Sequence, residues 1–391
     1  MKTELKEIIS YEIEHVFGRR ILSLRDCIEL SDDIYSKVNN KLNPNTLRRF
    51  FHLIKAPHPP SKATLTILAQ YCGFQSIQDI YKIKNTESFD SGNLNTDSVL
   101  YFLVSIFRDA SVKDVNDFAF SSMMINIIKF LNSNKFLTDR FQSMIAKSDN
   151  AKYYYEGFIN VDKLNSFYGN GLRYYLREKG TVDVEVFTSW LYIFKYWLSG
   201  EDEKLIKNME ILQSINYAHD LHPYTKIRHL SSLLFYNHVM ALDNEKTVIE
   251  MHNVYQELIG KDVVRKNLYS FLFIISVSLF LVGYAEDSVF FINESKKISG
   301  RNTSQSDQFE YAQLYLLIES YALHQNGENK KATMLFEQIK ATEFPFLSRK
   351  FATIIYLLLQ KRIRPSKSDA RNEQNLQTLI DDTGFKKLIN M

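Results

Sequence analysis

Six basic residues in a stretch without acids are the part of this sequence with the clearest chemistry. The 45 residues from Ile34 to Gln78 contain no Asp or Glu, whereas the whole chain, with 45 acids in 391 residues, predicts about five. A surface that binds a polyanion needs this combination, because each phosphate contact releases counterions and a nearby carboxylate opposes it. The window therefore indicates a nucleic-acid-binding surface. Its basic residues are Lys37, Lys41, Arg48, Arg49, Lys55 and Lys62.

The positive charge is concentrated near the start of the chain. Residues 1–84 carry 13 Lys and Arg against 9 Asp and Glu, a net charge of +4. The other 307 residues carry 35 Lys and Arg against 36 Asp and Glu, a net charge of −1. The chain is therefore a basic segment followed by a nearly neutral body.

Catalytic and metal-binding patterns are not evident in the sequence. It contains no glycine-rich phosphate loop, no HExxH motif and no CxxC pair. His219 and His222 are three residues apart and could share a metal on a helix, but Pro223 follows directly and no third ligand is apparent. No nucleophile with a neighbouring base can be identified. We therefore predict no catalytic residue, no metal site and no cofactor, and an enzyme is the weakest functional hypothesis.

The basic residues lie on short predicted helices. Ser31, followed by two acids, predicts one helix N-terminus, and Asn43 with Pro44 predicts the next. A further helix is predicted to begin at Ser61 and to end at Gly73. The helix beginning at Pro44 has an apolar inner face of Leu47, Phe50, Phe51 and Ile54, and a polar outer face of Asn45, Arg48, Arg49, His52 and Lys55.

This run of short helices resembles the lambda-repressor-like helix-turn-helix fold. Residues Pro60–Phe74 are similar to the family's stretch after the recognition helix, and Asn43–Arg49 is similar to the start of that helix. The loop before Pro60 is longer than is usual in the family. An ordinary solvated helix face is the alternative interpretation of the same polar residues. The resemblance implies DNA contacts by Asn45, Thr46, Arg48, Arg49, His52, Lys55 and Lys62, with Lys41 as a further phosphate contact.

The rest of the chain is predicted to be helical. Only 7 Pro and 13 Gly occur in 391 residues, and this scarcity of turn formers favours long helices over many short strands. The polar, turn-rich segment 85–97 predicts a linker. We therefore expect an all-α chain with a basic domain at 1–84 and a helical-repeat domain at 98–391.

The N-terminal residues, the two cysteines and the length of the apolar runs predict a cytoplasmic protein that does not cross a membrane. No apolar signal region follows Met1, and Cys27 and Cys72 lie at apolar positions of predicted helices, as free buried thiols would. The longest apolar run, Phe271–Val282, is shorter than the roughly 18 to 20 residues that a bilayer span needs. A borderline span at this run is kept as a minor alternative.

Four polar turns recur at a nearly constant interval in the body. The intervals of 43, 40 and 44 residues predict stacked helical hairpins, an α-solenoid. The last unit, with Gly327, Ala332, Phe336 and Pro345, resembles a tetratricopeptide repeat. The turns are centred on Gly200, Asp243, Gly283 and Gly327.

Stacked hairpins present a concave groove lined by the first helix of each pair, which suits an extended or helical peptide. Counting six and three residues back from each turn gives the predicted groove positions. Packing between hairpins is the alternative interpretation, and it is favoured for Phe194, Val277 and Phe280. The groove candidates are Trp197, Asn237, Tyr321 and His324.

The predicted architecture resembles peptide-responsive quorum-sensing transcription regulators. That resemblance implies duplex DNA, a peptide or partner protein, and a second copy of the chain as partners. The alternative hypothesis is an interaction scaffold that binds no DNA and uses its helical array to dock another protein.

Overall fold

The computed structural model of the chain describes residues 9–10, 13–14, 16–17, 19, 21–55, 59–72, 96–112, 118–132, 134–215, 222–259, 268–302, 305–364 and 370–390. These residues form α-helices and short 3₁₀ turns without any strand among them, so the described chain is all-α, as predicted. The chain divides into two compact units, residues 1–94 and 95–391. The division falls inside the predicted linker, of which residues 85–95 lie outside the described part.

The helices described in the first unit are α1 (Leu24–Val38), α2 (Pro44–Phe50) and α3 (Lys62–Tyr71). The prediction that a helix begins at Ser31 is wrong, because α1 begins after Ser23. The Ser23 hydroxyl accepts from the N–H of Asp26 at 3.2 Å, and the Asp26 carboxylate accepts from the N–H of Ser23 at 2.9 Å. This capping box satisfies two N–H groups that would otherwise lack partners.

Ser31 lies inside α1 and connects it to the start of α2. Its side chain is fully buried, and its hydroxyl donates to the carbonyl of Leu42 at 2.5 Å. Between the two helices the chain turns at Asn39, which has a φ of 55°. The Asn43 side chain then accepts from the N–H of Asn45 at 2.8 Å and caps α2. The predicted start of this helix is confirmed.

Helix α3 closes the small core of the first unit. Ser61 caps it as predicted, accepting from the N–H of Thr64 at 3.2 Å. The Tyr71 hydroxyl donates to the Asp33 carboxylate and joins α3 to α1. The core includes Leu30, Ile34, Leu47, Phe50, Leu65 and Leu68.

The two cysteines differ in their surroundings. Cys27 is a free thiol buried in the core, and burial raises its pKa. Cys72, which follows α3, is only half-buried, so the prediction of two buried thiols holds for Cys27 alone. The predicted helix end at Gly73 lies outside the described residues.

The second unit begins with a group of helices that precede the hairpins. They are α4 (Thr96–Asp109), α5 (Phe118–Leu131), α6 (Lys135–Ile145), α7 (Ala151–Tyr155) and α8 (Phe167–Lys179), with a 3₁₀ turn at Val161–Lys163.

Five helical hairpins follow in the described residues. They are α9 (Val182–Ser199) with α10 (Asp202–Ser214), α11 (Pro223–Val239) with α12 (Glu245–Ile259), α13 (Leu268–Leu281) with α14 (Ala285–Asn302), α15 (Gln305–Gln325) with α16 (Asn329–Phe336), and α17 (Arg349–Ile363) with α18 (Ala370–Thr383). First helices of neighbouring hairpins pack together, α9 on α11, α11 on α13, α13 on α15 and α15 on α17. In the described ranges, no helix has both the length and the apolarity to cross a bilayer.

Four chain reversals share one backbone geometry. At each, the N–H that follows a left-handed residue donates to the carbonyl four residues before that residue, at 2.8 to 2.9 Å. This bond satisfies a carbonyl at the end of the first helix and turns the chain into the second. The left-handed residues are Gly200, Ala241, Gly283 and Gly327.

The second of these turns corrects the predicted register. The sequence spacing placed it at Asp243, but the left-handed residue is Ala241, with a φ of 53°. Its turn is two residues longer than the other three, because Asn244 accepts the first bond of α12, from the N–H of Val248 at 2.9 Å. Groove positions counted backwards from Asp243 are therefore displaced by two residues.

The C-terminal segment packs back onto the beginning of the hairpin stack. The Phe351 ring of α17 lies 6.3 Å from that of Phe194 in α9 and 6.2 Å from that of Phe385. At the start of α17, the N–H groups of Lys350 and Phe351 donate to the Asp162 carboxylate at 2.9 and 3.0 Å. The Lys387 ammonium lies 5.2 Å from the centre of the Trp197 ring. The chain thus covers part of the α9 surface with its own last helices.

Candidate functional site

Helix α2 presents its polar face to solvent. The Asn45 and Arg49 side chains are exposed, and those of Thr46 and Arg48 are half-buried. The Arg48 guanidinium donates to the Asn45 side-chain oxygen at 3.0 Å. This contact joins residues one helical turn apart, and it holds an amide and a guanidinium side by side on the solvent-facing side of the helix. Amide and guanidinium groups are the side chains that read base edges in the major groove of DNA.

Two predicted members of this helical face lie beyond the helix. The sequence pattern continued the helix to Lys55, but α2 ends at Phe50 and Phe51 caps it. His52 follows with a φ of 58°, and the N–H of Leu53 donates to the Arg48 carbonyl at 2.9 Å. This is the same reversal that ends the hairpin helices, so His52 and Lys55 lie in an exposed loop after the helix.

The basic window is not free of acids in three dimensions. Asp32 and Asp33 precede it in sequence but lie on α1, which packs against α2 and α3. The Lys41 ammonium lies 2.9 Å from the Asp32 carboxylate, and the Lys37 ammonium lies 2.9 Å from that of Asp33. Two of the six cations are therefore neutralised within the first unit, which lowers the value of Lys41 as a phosphate contact.

Three cations of the window keep their charge available. Arg49, Lys55 and Lys62 are exposed and form no ion pair with any residue in the described ranges. Lys62 occupies the first position of α3, where the helix dipole disfavours a cation and attracts an anion. A lysine there does not stabilise the helix, whereas it would assist the helix terminus in holding a phosphate.

The predicted groove positions of the second unit are largely core positions. Trp197 and Tyr321 are buried, at 1% and 0% exposure, so they leave the list of groove candidates. The Trp197 indole N–H donates to His238 Nδ1 at 3.4 Å, across the packed helices α9 and α11. Its ring is further covered by Lys387. Both aromatic residues therefore pack between hairpins, which is the alternative interpretation of these positions.

Asn237 braces the long second turn. Its amide donates to the Asn244 side-chain oxygen at 3.1 Å, and the Asn244 amide donates to the Leu234 carbonyl at 3.3 Å. In the corrected register, the residue six before the turn is Phe235, which is buried and 5.6 Å from the Phe194 ring. Asn237 was therefore assigned to the groove through the displaced count.

His324 is a groove candidate that is only half-buried. It is half-buried at the end of α15, and its Nδ1 has no hydrogen-bond partner among the described residues. One turn earlier, the Tyr321 hydroxyl also lacks a partner there, and burial raises the pKa of this residue. The Arg362 guanidinium lies 5.2 Å from the centre of the Tyr321 ring.

Two buried polar groups in the second unit could not be predicted from the sequence. The Arg228 guanidinium pairs with Glu156 at 2.9 Å, and the Tyr175 hydroxyl donates to the same carboxylate at 2.8 Å. Separately, the Asp139 carboxylate accepts from the Tyr174 hydroxyl at 2.9 Å. Burial raises the pKa of Asp139 to about 6. Each of these side chains is distant in sequence from its partner, so residue spacing could not reveal the pairs.

Two predicted features concern the histidines near α11. His222 caps α11, since its Nδ1 accepts from the N–H of Tyr224 at 3.3 Å, and Pro223 begins the helix. His219 lies outside the described residues.

Comparison of the chain with family models, with curated proteins and with solved structures returned no match.

Proposed function

We propose that this chain is a DNA-binding transcriptional regulator whose first unit contacts duplex DNA through α2 and the loop after it. The observation that carries the proposal is the Asn45–Arg48 pair on the solvent-facing side of α2, next to Arg49 and Lys55, which form no ion pair in the described part of the chain. The amide and guanidinium groups suit base edges, and the surrounding cations suit phosphates. In this proposal the first unit is a helix-turn-helix, with α1 and α2 as the two helices of the motif.

The second unit is proposed to take up a peptide or partner protein. Support comes from its stacked hairpins, which we interpret as a tetratricopeptide-like solenoid, and from the half-buried His324 at the end of α15, whose buried Nδ1 lacks a hydrogen-bond partner among the described residues. A stabilising peptide should raise the midpoint of thermal unfolding of the wild-type chain. The His324→Ala variant should show a smaller rise with the same peptide, and equal rises would remove His324 from the proposal.

Two matched double variants test the DNA-binding proposal. Arg48→Ala with Arg49→Ala removes two cations from the exposed face, and we expect a loss of about 1 to 3 kcal/mol for each base-reading side chain. Lys37→Ala with Lys41→Ala removes the same charge from lysines that pair with α1, so its loss should be smaller. Affinity for a pool of duplex fragments at low salt measures both.

An interaction scaffold is the second candidate function. The pairing of Lys37 with Asp33 and of Lys41 with Asp32 favours it, because it reduces the positive charge that the basic window offers to a phosphate backbone. Wild-type protein that binds no duplex in the same experiment would support the scaffold and contradict the regulator.

A further inference from the structure

One side of α1 presents large apolar side chains to solvent. Leu24, Ile28 and Tyr35 are 47%, 45% and 52% exposed, and Leu22, just before the helix, is 71% exposed. Single exposed apolar residues are ordinary on protein surfaces, but several on one helix face mark an interaction site. We call these four residues the α1 seam.

Three residues of the α1 seam, together with the buried Ser31, follow the spacing of a heptad repeat. Leu24, Ile28, Ser31 and Tyr35 are separated by four, three and four residues, the alternating steps of a coiled-coil contact line. At 3.6 residues per turn these positions fall within about 60° of one another around the helix. Ser31 is buried and bonded to the Leu42 carbonyl, so the exposed part of this line is apolar throughout.

Opposite charges occupy one flank of the seam. Arg25 and Asp32 are seven residues apart, so they share a heptad position, and their side chains are 88% and 63% exposed. Within the chain Arg25 pairs with Glu29 at 3.0 Å and Asp32 with Lys41 at 2.9 Å, and these exposed pairs would exchange for the contacts between copies. In an antiparallel pair of identical helices related by a two-fold axis near Ile28, Arg25 of each copy lies beside Asp32 of the other. An isologous contact requires this self-complementarity, because every contact occurs twice.

We propose that the α1 seam is a self-association surface, on which a second copy of this chain packs its own seam in antiparallel orientation. Ile28 then lies at the two-fold axis, and Leu22 lies opposite Tyr35 of the other copy. The seam is small beside a standard interface of about 20 to 30 residues a side, so the association is weak and concentration-dependent. None of the DNA-binding candidates belongs to the seam, and self-association can therefore be measured without DNA.

Sedimentation of the full-length protein over a range of concentrations tests the proposal. Ile28→Asp places a charge at the two-fold axis and should weaken dimerisation about tenfold or more. Ile249→Asp is the matched control, since Ile249 is also an exposed isoleucine, 52% exposed on α12. A wild-type protein that stays monomeric, or equal behaviour of the two variants, would overturn the proposal.

A charge exchange tests the antiparallel orientation. Arg25→Asp and Asp32→Arg should each weaken dimerisation, because each places like charges beside one another across the interface. The double variant should recover most of the wild-type association, because the two pairs form again with reversed sign. Failure of the double variant to recover would refute the antiparallel arrangement.

Discussion

Asp139 couples the second unit to pH through a single buried carboxyl. One of its oxygens accepts from the Tyr174 hydroxyl, and the other has no hydrogen-bond partner in the described part of the chain. Burial removes the carboxylate from water, and the single hydrogen bond does not replace that solvation. The neutral form of Asp139 is therefore favoured, and the folded-state pKa rises from 3.8 to about 6. The charged form is therefore tolerated at a cost in stability.

The sign of the pH dependence follows from this raised pKa. The stability gained from neutral Asp139 is fully present below about pH 4 and is lost as the pH rises through about 6. The stability of Asp139→Asn relative to wild type should therefore increase from pH 4 to pH 7, by roughly 2 to 3 kcal/mol in the free energy of unfolding.

Urea unfolding at several pH values measures this difference. Asp149→Asn, in the exposed turn after α6, is the control for the removal of a carboxyl group. A difference between wild type and Asp139→Asn that stays constant across this pH range would contradict the account.

The basic window shows what residue types alone can and cannot predict. The cations and the helix start at Asn43 could be predicted because both depend on local sequence. The ion pairs of Lys37 and Lys41 were missed because counting acids inside the window omits Asp33 and Asp32, which lie just before it. The Lys37–Asp33 pair is a local contact four residues apart within α1, whereas the Lys41–Asp32 pair depends on how the chain turns after α1.

At the scale of elements, the hairpin turns depend on one left-handed residue each. Three of them are glycines, which adopt this conformation without steric cost, but Ala241 adopts it with a Cβ atom. Ala241→Gly should therefore stabilise the protein by about 1 kcal/mol, because the strain is relieved at an exposed site.

A helical alanine provides the opposite control for this prediction. Ala312 lies inside α15, where glycine costs about 1 kcal/mol, so Ala312→Gly should destabilise the protein. Thermal or urea unfolding of the two variants gives the comparison. Destabilisation of both would show that Ala241 is not strained.

The same turn explains the assignment of Asn237 to the groove. Glycine residues located three of the four turns, but nothing in the sequence marks Ala241 as left-handed or its turn as two residues longer. The count from Asp243 therefore selected Asn237 in place of the buried Phe235. Helix content was predictable from composition and periodicity. The facing of each residue was not, since Trp197 and Tyr321 were counted from correctly placed turns and are nevertheless buried between hairpins.

At the scale of the whole second unit, Asp162 holds the returning C-terminal helices. Helix α17 has no cap from its own N-cap side chain, and the Asp162 carboxylate accepts from two N–H groups of its first turn instead. Asp162→Ala leaves these buried N–H groups without partners, which should cost about 1 to 3 kcal/mol in the free energy of unfolding.

Hydrogen exchange locates the effect of this substitution. The amides of Lys350 and Phe351 should exchange faster in Asp162→Ala than in wild type. Asp382→Ala is the control, because Asp382 is half-exposed and pairs with the Lys350 ammonium, a contact that contributes little. Equal exchange at α17 in the two variants would show that Asp162 does not hold the segment.

The most direct test of the central claim is the salt dependence of DNA binding by the full-length protein. With Arg48, Arg49, Lys55 and Lys62 on phosphates or bases, the logarithm of the association constant should fall with the logarithm of salt concentration with a slope of about −3 to −4. Lys62→Ala should reduce that slope by about 1 while weakening all duplexes alike. A slope near zero, or no binding at low salt, would contradict the assignment of this surface to DNA.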